Sequence, residues 1–301
     1  MITISLTQGL GNQLFQYFFG ESLGIDFKDK VEVNYLQDLL PPDQLKMWEV
    51  FDIKINWIDD HQLKKNFLFK LSPQTRDLFI KLAKILSFNK NLLTIDDSNI
   101  DLNIINKLRQ NIYLRGYWQN IEYSKKNFKF ILTKLKFKKK LDLNLLIKKK
   151  YKNKFSSLVG VHIRGGDYLL KKNYLLKNNI DLNYYLDSMY LMKKNFKNPI
   201  FLLFSDDRTY LEQMNLSKYF NCLNIFDLST DRVDDFQYLS QCNHFIIPNS
   251  TFSLWAFYLN KNPDKFIITP DTWFSFRKNS INNFIHEKYI KKKNSLKEKF
   301  L

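Results

Sequence analysis

Three short runs in this chain carry residue types suited to holding a phosphorylated ligand. In His162-Ile163-Arg164-Gly165-Gly166-Asp167 an arginine leaves an apolar segment into paired glycines. A guanidinium placed there can grip a diphosphate through two hydrogen bonds. His162 and Arg164 fall on the same side of an extended chain, because side chains alternate in a strand. The same residues also admit a plainer reading, an Arg164–Asp167 ion pair with His162 buried in the core. In Asn249-Ser250-Thr251, hydroxyls and free amides precede the apolar run from Phe252. They could meet a phosphate at a helix start or only cap the helix. Asp206-Asp207 could hydrogen-bond a nucleoside or begin a helix.

A fourth run, Gly9-Leu10-Gly11-Asn12-Gln13-Leu14, sits where a strand should turn into a helix. Glycines there let backbone N–H groups approach a phosphate or sugar. With Glu32 near the end of the next strand it has the outline of a dinucleotide fingerprint, but Leu14 stands at the third glycine. An oxidoreductase and a ligand-free tight turn both stay open on this motif alone. His61, His162, His244 and His286 show no ligand spacing, so neither a zinc site nor another bound metal is expected.

The elements that must position these residues are clearest in the second half. Strand-like runs at Leu158–Ile163, Ile200–Phe204, Cys222–Phe226, His244–Ile247 and Phe266–Thr269 alternate with helical stretches at Leu182–Phe196, Thr209–Met214, Asp234–Cys242 and Phe252–Leu259. Such alternation implies right-handed crossovers and a doubly wound parallel sheet, an α/β fold. Ligands bind outside the carboxyl ends of such strands. The Arg164, Asp206 and Ser250 clusters each follow a strand, so all are expected on one sheet edge. The first half suggests strands at Ile2–Leu6, Val31–Val33 and Ile112–Gly116, and helices at Asn12–Leu23 and Phe67–Leu86.

With 45% hydrophobic residues, 16% aromatics and few Pro or Gly, the 301-residue chain is globular, neither disordered nor collagenous. No run is long and apolar enough to span a membrane, no signal peptide is recognisable, and two cysteines do not make a disulfide scaffold; a cytoplasmic protein is expected. The net charge of +17 comes from 47 Lys+Arg against 30 Asp+Glu. Lysine-rich stretches at residues 134–154 and from Lys288 carry much of it. They fit a solvated face or attachment to an anionic membrane surface. Nucleic acid is not expected as a partner, since no recognition motif accompanies the charge. The first lysine stretch marks a boundary between domains at residues 1–150 and 151–301.

Gly9-Leu10-Gly11-Asn12-Gln13-Leu14-Phe15-Gln16-Tyr17, Val161-His162-Ile163-Arg164-x-Gly166-Asp167-Tyr168 and Ile247-Pro248-Asn249-Ser250-Thr251-Phe252-Ser253-Leu254-Trp255-Ala256 occur in the order and spacing of the bacterial α-1,2-fucosyltransferases, glycosyltransferase family 11, which the chain closely resembles. The resemblance implies a GT-B-like architecture of two facing Rossmann-like domains, the first on the acceptor side and the second binding the donor. It implies inverting, metal-independent transfer of L-fucose from GDP-β-L-fucose, a substrate and not a cofactor, to a galactoside hydroxyl in α-1,2 linkage. The acceptor would be a galactose-containing surface glycan, lipid-linked when the enzyme works at the inner face of the cell membrane. The lack of any Asp-x-Asp agrees with metal independence. Another GDP-sugar or another fucosyl linkage would keep the same motifs.

By that resemblance Arg164 neutralises the pyrophosphate, and His162 lies beside the nucleotide. Ser250 and Thr251, with Asn249, hold phosphate or fucose, and Asp206 lies near the guanosine. Gly9, Gly11, Asn12 and Gln13 line the donor side from the first domain. Asp167 is the candidate base, with Glu21, Asp38 and Asp43 as other carboxylates. Where the family has a second consecutive arginine this chain has Gly165, so Arg164 acts alone or is helped by Arg115, Lys171 or Lys172. Leu254 replaces the usual aromatic neighbour of Trp255.

Overall fold

The computed structural model describes residues 1–35, 44–58, 93–96, 112–150, 157–165, 180–229, 231–271, 273 and 290–292. The chain divides into two compact units, Met1–Lys138 and Lys139–Leu301.

The first unit is built on a parallel sheet of β1 (Ile2–Leu6), β2 (Val31–Tyr35), β3 (Leu93–Asp96) and β4 (Ile112–Arg115), in the order β2-β1-β4-β3. Every residue of β1 is buried, as expected of a central strand covered on both faces. Helix α1 (Leu10–Phe27) follows it and ends on Lys28 in the left-handed conformation, φ 53°. Phe15, Phe18 and Phe19 of α1 are buried. A side chain at Gly20 or Gly24 would overlap Ile4 or Val31, so the glycines let the helix lie against the sheet. A short helix α2 (Met47–Val50) and helix α3 (Phe128–Lys134) complete the described part. The first strand, the helix after it and the Ile112 strand match their expected places, whereas β3 had no recognised signal. The helix expected at Phe67–Leu86 lies outside the described residues. Glu32 sits at the amino-terminal side of β2, opposite Thr3 and ion-paired to Lys30 at 3.0 Å. It is therefore remote from the strand end where a ribose-binding acid belongs, which removes the dinucleotide reading.

The second unit holds α4 (Leu143–Lys150), β5 (Ser157–Ile163), α5 (Leu182–Asn195), β6 (Pro199–Ser205), α6 (Arg208–Met214), β7 (Cys222–Asn224), α7 (Arg232–Leu239), β8 (His244–Ile246), α8 (Thr251–Leu259), β9 (Ile267–Pro270) and β10 (Ile290–Lys292). All pairings are parallel and the order is β10-β9-β8-β5-β6-β7. From β5 the chain steps outward through β6 and β7, then returns to the other side of β5 and steps outward again. This is the doubly wound order, and its switch point lies between β5 and β8. Strands β5 and β6 are buried throughout, and Val159, Val161, Phe201 and Leu203 join Tyr185 and Met189 of α5 in one core. The run expected as a strand through Phe226 stops at Asn224, where a 3-10 turn over Ile225–Asp227 takes over.

The lysine-rich stretch is not a free basic arm. Lys134 pairs with Glu21 at 2.8 Å, and Lys139 bridges Asp231 and Asp234 at 2.8 and 2.6 Å. Leu143 and Ile147 bury one side of α4, which joins the second unit through a Leu143 N–H to Gln241 Oε1 hydrogen bond of 2.8 Å. Cys242 is buried and Cys222 half-buried, both unbridged, and burial raises both thiol pKa values, for Cys222 to about 12.

Candidate functional site

Arg164 and Gly165 leave the carboxyl end of β5 beside the switch point. They are held from the neighbouring strand β6 by Asp206. One Asp206 carboxylate oxygen lies 2.8 Å from Arg164 Nη1, and the other accepts the Gly165 N–H at 2.8 Å. Arg164 thus pairs with Asp206, where the sequence offered Asp167, which lies outside the described residues. Ser205 and Asp207 tighten the same corner. The Ser205 hydroxyl donates to Asp207 O at 3.0 Å and accepts the Asp207 N–H at 3.1 Å. Asp207 caps α6 by accepting the Tyr210 N–H at 2.9 Å. Of the two adjacent aspartates, one positions the arginine and the other begins the helix.

Gly165 is a consequence of this packing. A Cβ there would stand 2.5 Å from the Asp207 Cβ, closer than any real pair approaches. An arginine at this position would need Asp207 to move. The sequence alone shows only the missing charge, because the contact joins two loops of distant strands.

His162 is buried one strand residue behind Arg164 and Ile163, with its ring 5.6 Å from that of Phe252. Its Nδ1 is buried without a hydrogen-bond partner. Burial drives its pKa down to about 3; Asp206 opposes that shift and Arg164 adds to it. The imidazole is therefore neutral at ordinary pH, able to give or accept one hydrogen bond but not to neutralise phosphate.

On the other side of the switch point, β8 runs into Ile247, Pro248, Asn249 and Ser250, and α8 begins at Thr251. Ser250 occupies the N-cap position, yet its hydroxyl makes no cap hydrogen bond. Asn249 is buried and donates from Nδ2 to Trp273 O at 3.0 Å. A helix amino terminus at a strand end is a favourable place for an anion. The sheet edge is braced from α5. Tyr184 donates its hydroxyl to Ile247 O at 2.7 Å and Ile268 O at 3.4 Å, and Tyr185 donates to His162 O at 3.1 Å.

The four first-unit residues singled out in the sequence occupy the β1–α1 turn. Gly9 is the N-cap of α1, and its carbonyl accepts from Asn12 N at 2.9 Å and Gln13 N at 3.2 Å. Gly11 is buried in the first turn. Asn12 Oδ1 accepts from Gln119 Nε2 at 2.7 Å. Gln13 is fully buried; its Nε2 donates to Gln8 O at 2.7 Å and Leu45 O at 3.2 Å, while its Oε1 accepts the Met47 N–H at 3.0 Å. Gln16, not among the expected site residues, does the same for the end of β4, joining Thr7 to Gly116 through three hydrogen bonds of 2.9–3.0 Å. These glutamines fix the shape of the loop.

Among the other carboxylates considered as a base, Glu21 is engaged with Lys134, and Asp38 and Asp43 lie outside the described residues. Of the possible helper cations, Arg115 ends β4 in the first unit, and Lys171 and Lys172 are outside the described residues. Among the described residues no group of three or more His, Cys, Asp or Glu could hold a metal ion, and no helix is long and apolar enough to cross a membrane.

Comparison with known proteins places the chain among glycosyltransferases. The family described as Glycosyl transferase family 11 matches residues 103–292, well over half of the chain. An α-1,2-colitosyltransferase of Escherichia coli is 25% identical over 94% of this chain and 95% of its own length. The O-antigen biosynthesis glycosyltransferase WbnK of Escherichia coli is 26% identical over 90% of this chain and 94% of its own. The galactoside α-(1,2)-fucosyltransferase 2 of Rattus norvegicus is 30% identical over a shorter stretch, 35% of this chain and 30% of its own.

Proposed function

The chain belongs to glycosyl transferase family 11, and from that premise we propose that it transfers L-fucose from GDP-β-L-fucose to a galactoside hydroxyl, with inversion to an α-1,2 linkage and without a metal. The observation that carries the reading is Arg164, held by Asp206 at the carboxyl end of β5, the strand next to the one that leads into α8. Departure of GDP leaves negative charge on the β-phosphate. Arg164, the Ser250 and Thr251 hydroxyls and the first amides of α8 supply preoriented donors for it, with Asn249 beside them. Donors of this kind are each worth ~3–4 kcal/mol in mutational tests. The acceptor hydroxyl oxygen forms the new bond to the anomeric carbon as the bond to phosphate oxygen breaks, and its proton passes to a base, for which we propose Asp167. His162, neutral, is a hydrogen-bonding neighbour of the nucleotide. Asp206 acts through Arg164, in place of the guanosine contact expected for it. Gly9, Gly11, Asn12 and Gln13 shape the first-unit loop of the donor side.

The α-1,2 linkage is favoured by the colitosyl and galactoside fucosyl relatives, both named for it, and a surface-glycan acceptor by the O-antigen relative. A second reading keeps the linkage and changes the sugar, because one of the two relatives matched along nearly their whole length is named for colitosyl transfer.

The deciding assay is GDP release from GDP-L-fucose in EDTA, with and without β-galactosides such as lactose, with GDP-mannose as control and the product linkage read by NMR. Release that needs both GDP-fucose and a galactoside, giving an α-1,2 product, is the expected result. Release only from another GDP-sugar moves the assignment to that sugar. Dependence on a divalent metal would overturn the mechanism.

A further inference from the structure

We propose that the cavity at the carboxyl end of β2, walled by Tyr35, Trp48 and Trp57, is a carbohydrate subsite that seats a pyranose ring of the acceptor glycan. The inference rests on the reading that the protein glycosylates a glycan, and it places part of acceptor recognition in named residues of the first unit. The cavity measures about 620 Å³. That is the size of sites for small molecules, roughly 300–1,000 Å³. Its rings stand nearly perpendicular in series. Tyr35 and Trp48 are 4.6 Å apart at 90°, and Trp48 and Trp57 are 4.8 Å apart at 87°. Trp57 is 46% exposed, which leaves much of a large apolar ring in water at the cavity mouth.

The chemistry of the wall selects the ligand. Val33, Asn34, Ile53, Ile55 and Ile58 complete the described lining, so no charged side chain lines the cavity among the described residues. A phosphorylated ligand would find no counter-charge in that lining, and Lys46, the cation that acts on Tyr35, is paired with Glu49 at 3.4 Å. A purely aliphatic one would leave the polar group of Tyr35 without use. A neutral pyranose fits both halves, since its C–H face stacks on an indole and a rim hydroxyl meets the Tyr35 phenol. Asn34 is buried at the strand end, where its Nδ2 lies 3.4 Å from the Tyr113 hydroxyl.

The cavity is also held open by backbone. Val33 N donates to Asn56 O at 2.8 Å and Ile58 N to Val33 O at 3.0 Å, which sets Trp57 beside β2. Gln13 fixes the entry to α2 through Leu45 and Met47, and Glu49 closes that helix by accepting the Lys46 N–H at 3.1 Å. Trp48 rides on this helix. The glycine-asparagine-glutamine run noticed in the sequence therefore supports the aromatic wall directly through Gln13. A site shaped before its ligand arrives loses less freedom on binding.

The test uses the whole chain and its Trp57→Ala and Trp57→Phe variants, with folding checked by circular dichroism. Saturation-transfer NMR without donor reads binding of lactose and other neutral oligosaccharides, and steady-state GDP release reads acceptor and donor KM. We expect lactose signals in the wild type that vanish in Trp57→Ala, and an acceptor KM raised about tenfold, equivalent to ~1.4 kcal/mol. Donor KM should stay within about twofold, and Trp57→Phe should restore most of the loss, since a ring face remains. Unchanged acceptor KM in folded Trp57→Ala, or a rise in donor KM instead, overturns the subsite while leaving the transferase reading intact. No saturation transfer from the wild type to any oligosaccharide also overturns it. Oligosaccharide binding that depends on Trp57 in a protein that transfers no fucose supports the subsite and sinks the proposed reaction.

Discussion

Gly165 and Asp207 approach so closely that a Cβ on the glycine would stand 2.5 Å from the Cβ of the aspartate. The two residues are therefore one structural decision. Gly165→Ala should lower stability by about 1–3 kcal/mol through overpacking. Asp207→Gly alone should be mild, a few tenths of a kcal/mol, because glycine is a tolerated N-cap. Combining them should recover most of the loss, since the added methyl then has room. Thermal or urea unfolding of the four proteins closes the cycle. Strict additivity would mean that the clash is relieved elsewhere.

Arg164→Ala should reduce turnover by on the order of 10²–10³ with the far-UV spectrum unchanged. Arg164→Lys should stay near the low value, because an ammonium lacks the planar fork that can meet Asp206 through Nη1 and still offer parallel N–H groups to a phosphate. Asp206→Asn should fall between, keeping an acceptor for Gly165 N while losing the charge that orients the guanidinium. A loss below about threefold in folded Arg164→Ala would remove this arginine from the chemistry.

Acid should weaken the fold from two places and strengthen it from a third. His162 and His244 are held neutral by burial, so the unfolded chain binds protons first as pH drops below about 6.5, and stability falls with pH. Asp235 runs the other way. Its pKa is raised to about 6, chiefly by burial, so the folded state takes up that proton first and gains stability as pH falls from there toward about 4. Melting temperatures from about pH 7 to pH 4 should decline, and Asp235→Asn should make the decline steeper. A shallower slope in that variant would contradict the assignment.

Gln16→Leu should destabilise the first unit by roughly 2–4 kcal/mol, because Thr7 N–H and Gly116 O lose their partner inside the protein. Hydrogen exchange should rise at Thr7 and along the turn to Gly9. Protection unchanged at Thr7 would show that the loop does not depend on this side chain.

Much of the second unit was legible in the sequence because β5, β6, β8 and β9 read as short apolar runs followed by residues of distinct chemistry, whereas β10, inside the lysine-rich stretch from Lys288, did not. Arg164, Asp206 and Ser250 could be placed on one sheet edge before any pairing was known. What could not be read were contacts between loops of different strands. The Asp206 bridge to Gly165 N and the Asp207 contact span some forty positions, and no local pattern encodes them. The first unit was less legible for a different reason. Gln13 looks like a ligand-facing polar residue, yet it is buried and spends its amide on backbone, and the buried Gln16 beside it drew no reading at all. The short strand β3 lacks the flanking alternation that makes a strand recognisable.

Tyr184 and Tyr185 were described as braces from α5 to Ile247, Ile268 and His162. Tyr184 also changes the electrical character of the rim. Parallel strands present outward-facing carbonyl oxygens at their carboxyl ends, a fringe of partial negative charge where an anion would have to settle. The Tyr184 phenol hydrogen turned onto Ile247 O, just past the end of β8, offsets part of that fringe without placing a formal charge nearby. Burial raises the Tyr184 pKa well above its ordinary value, so that proton stays in place at neutral pH. The anion-facing polarity of the crevice is thus set partly from beneath, by a buried phenol on α5.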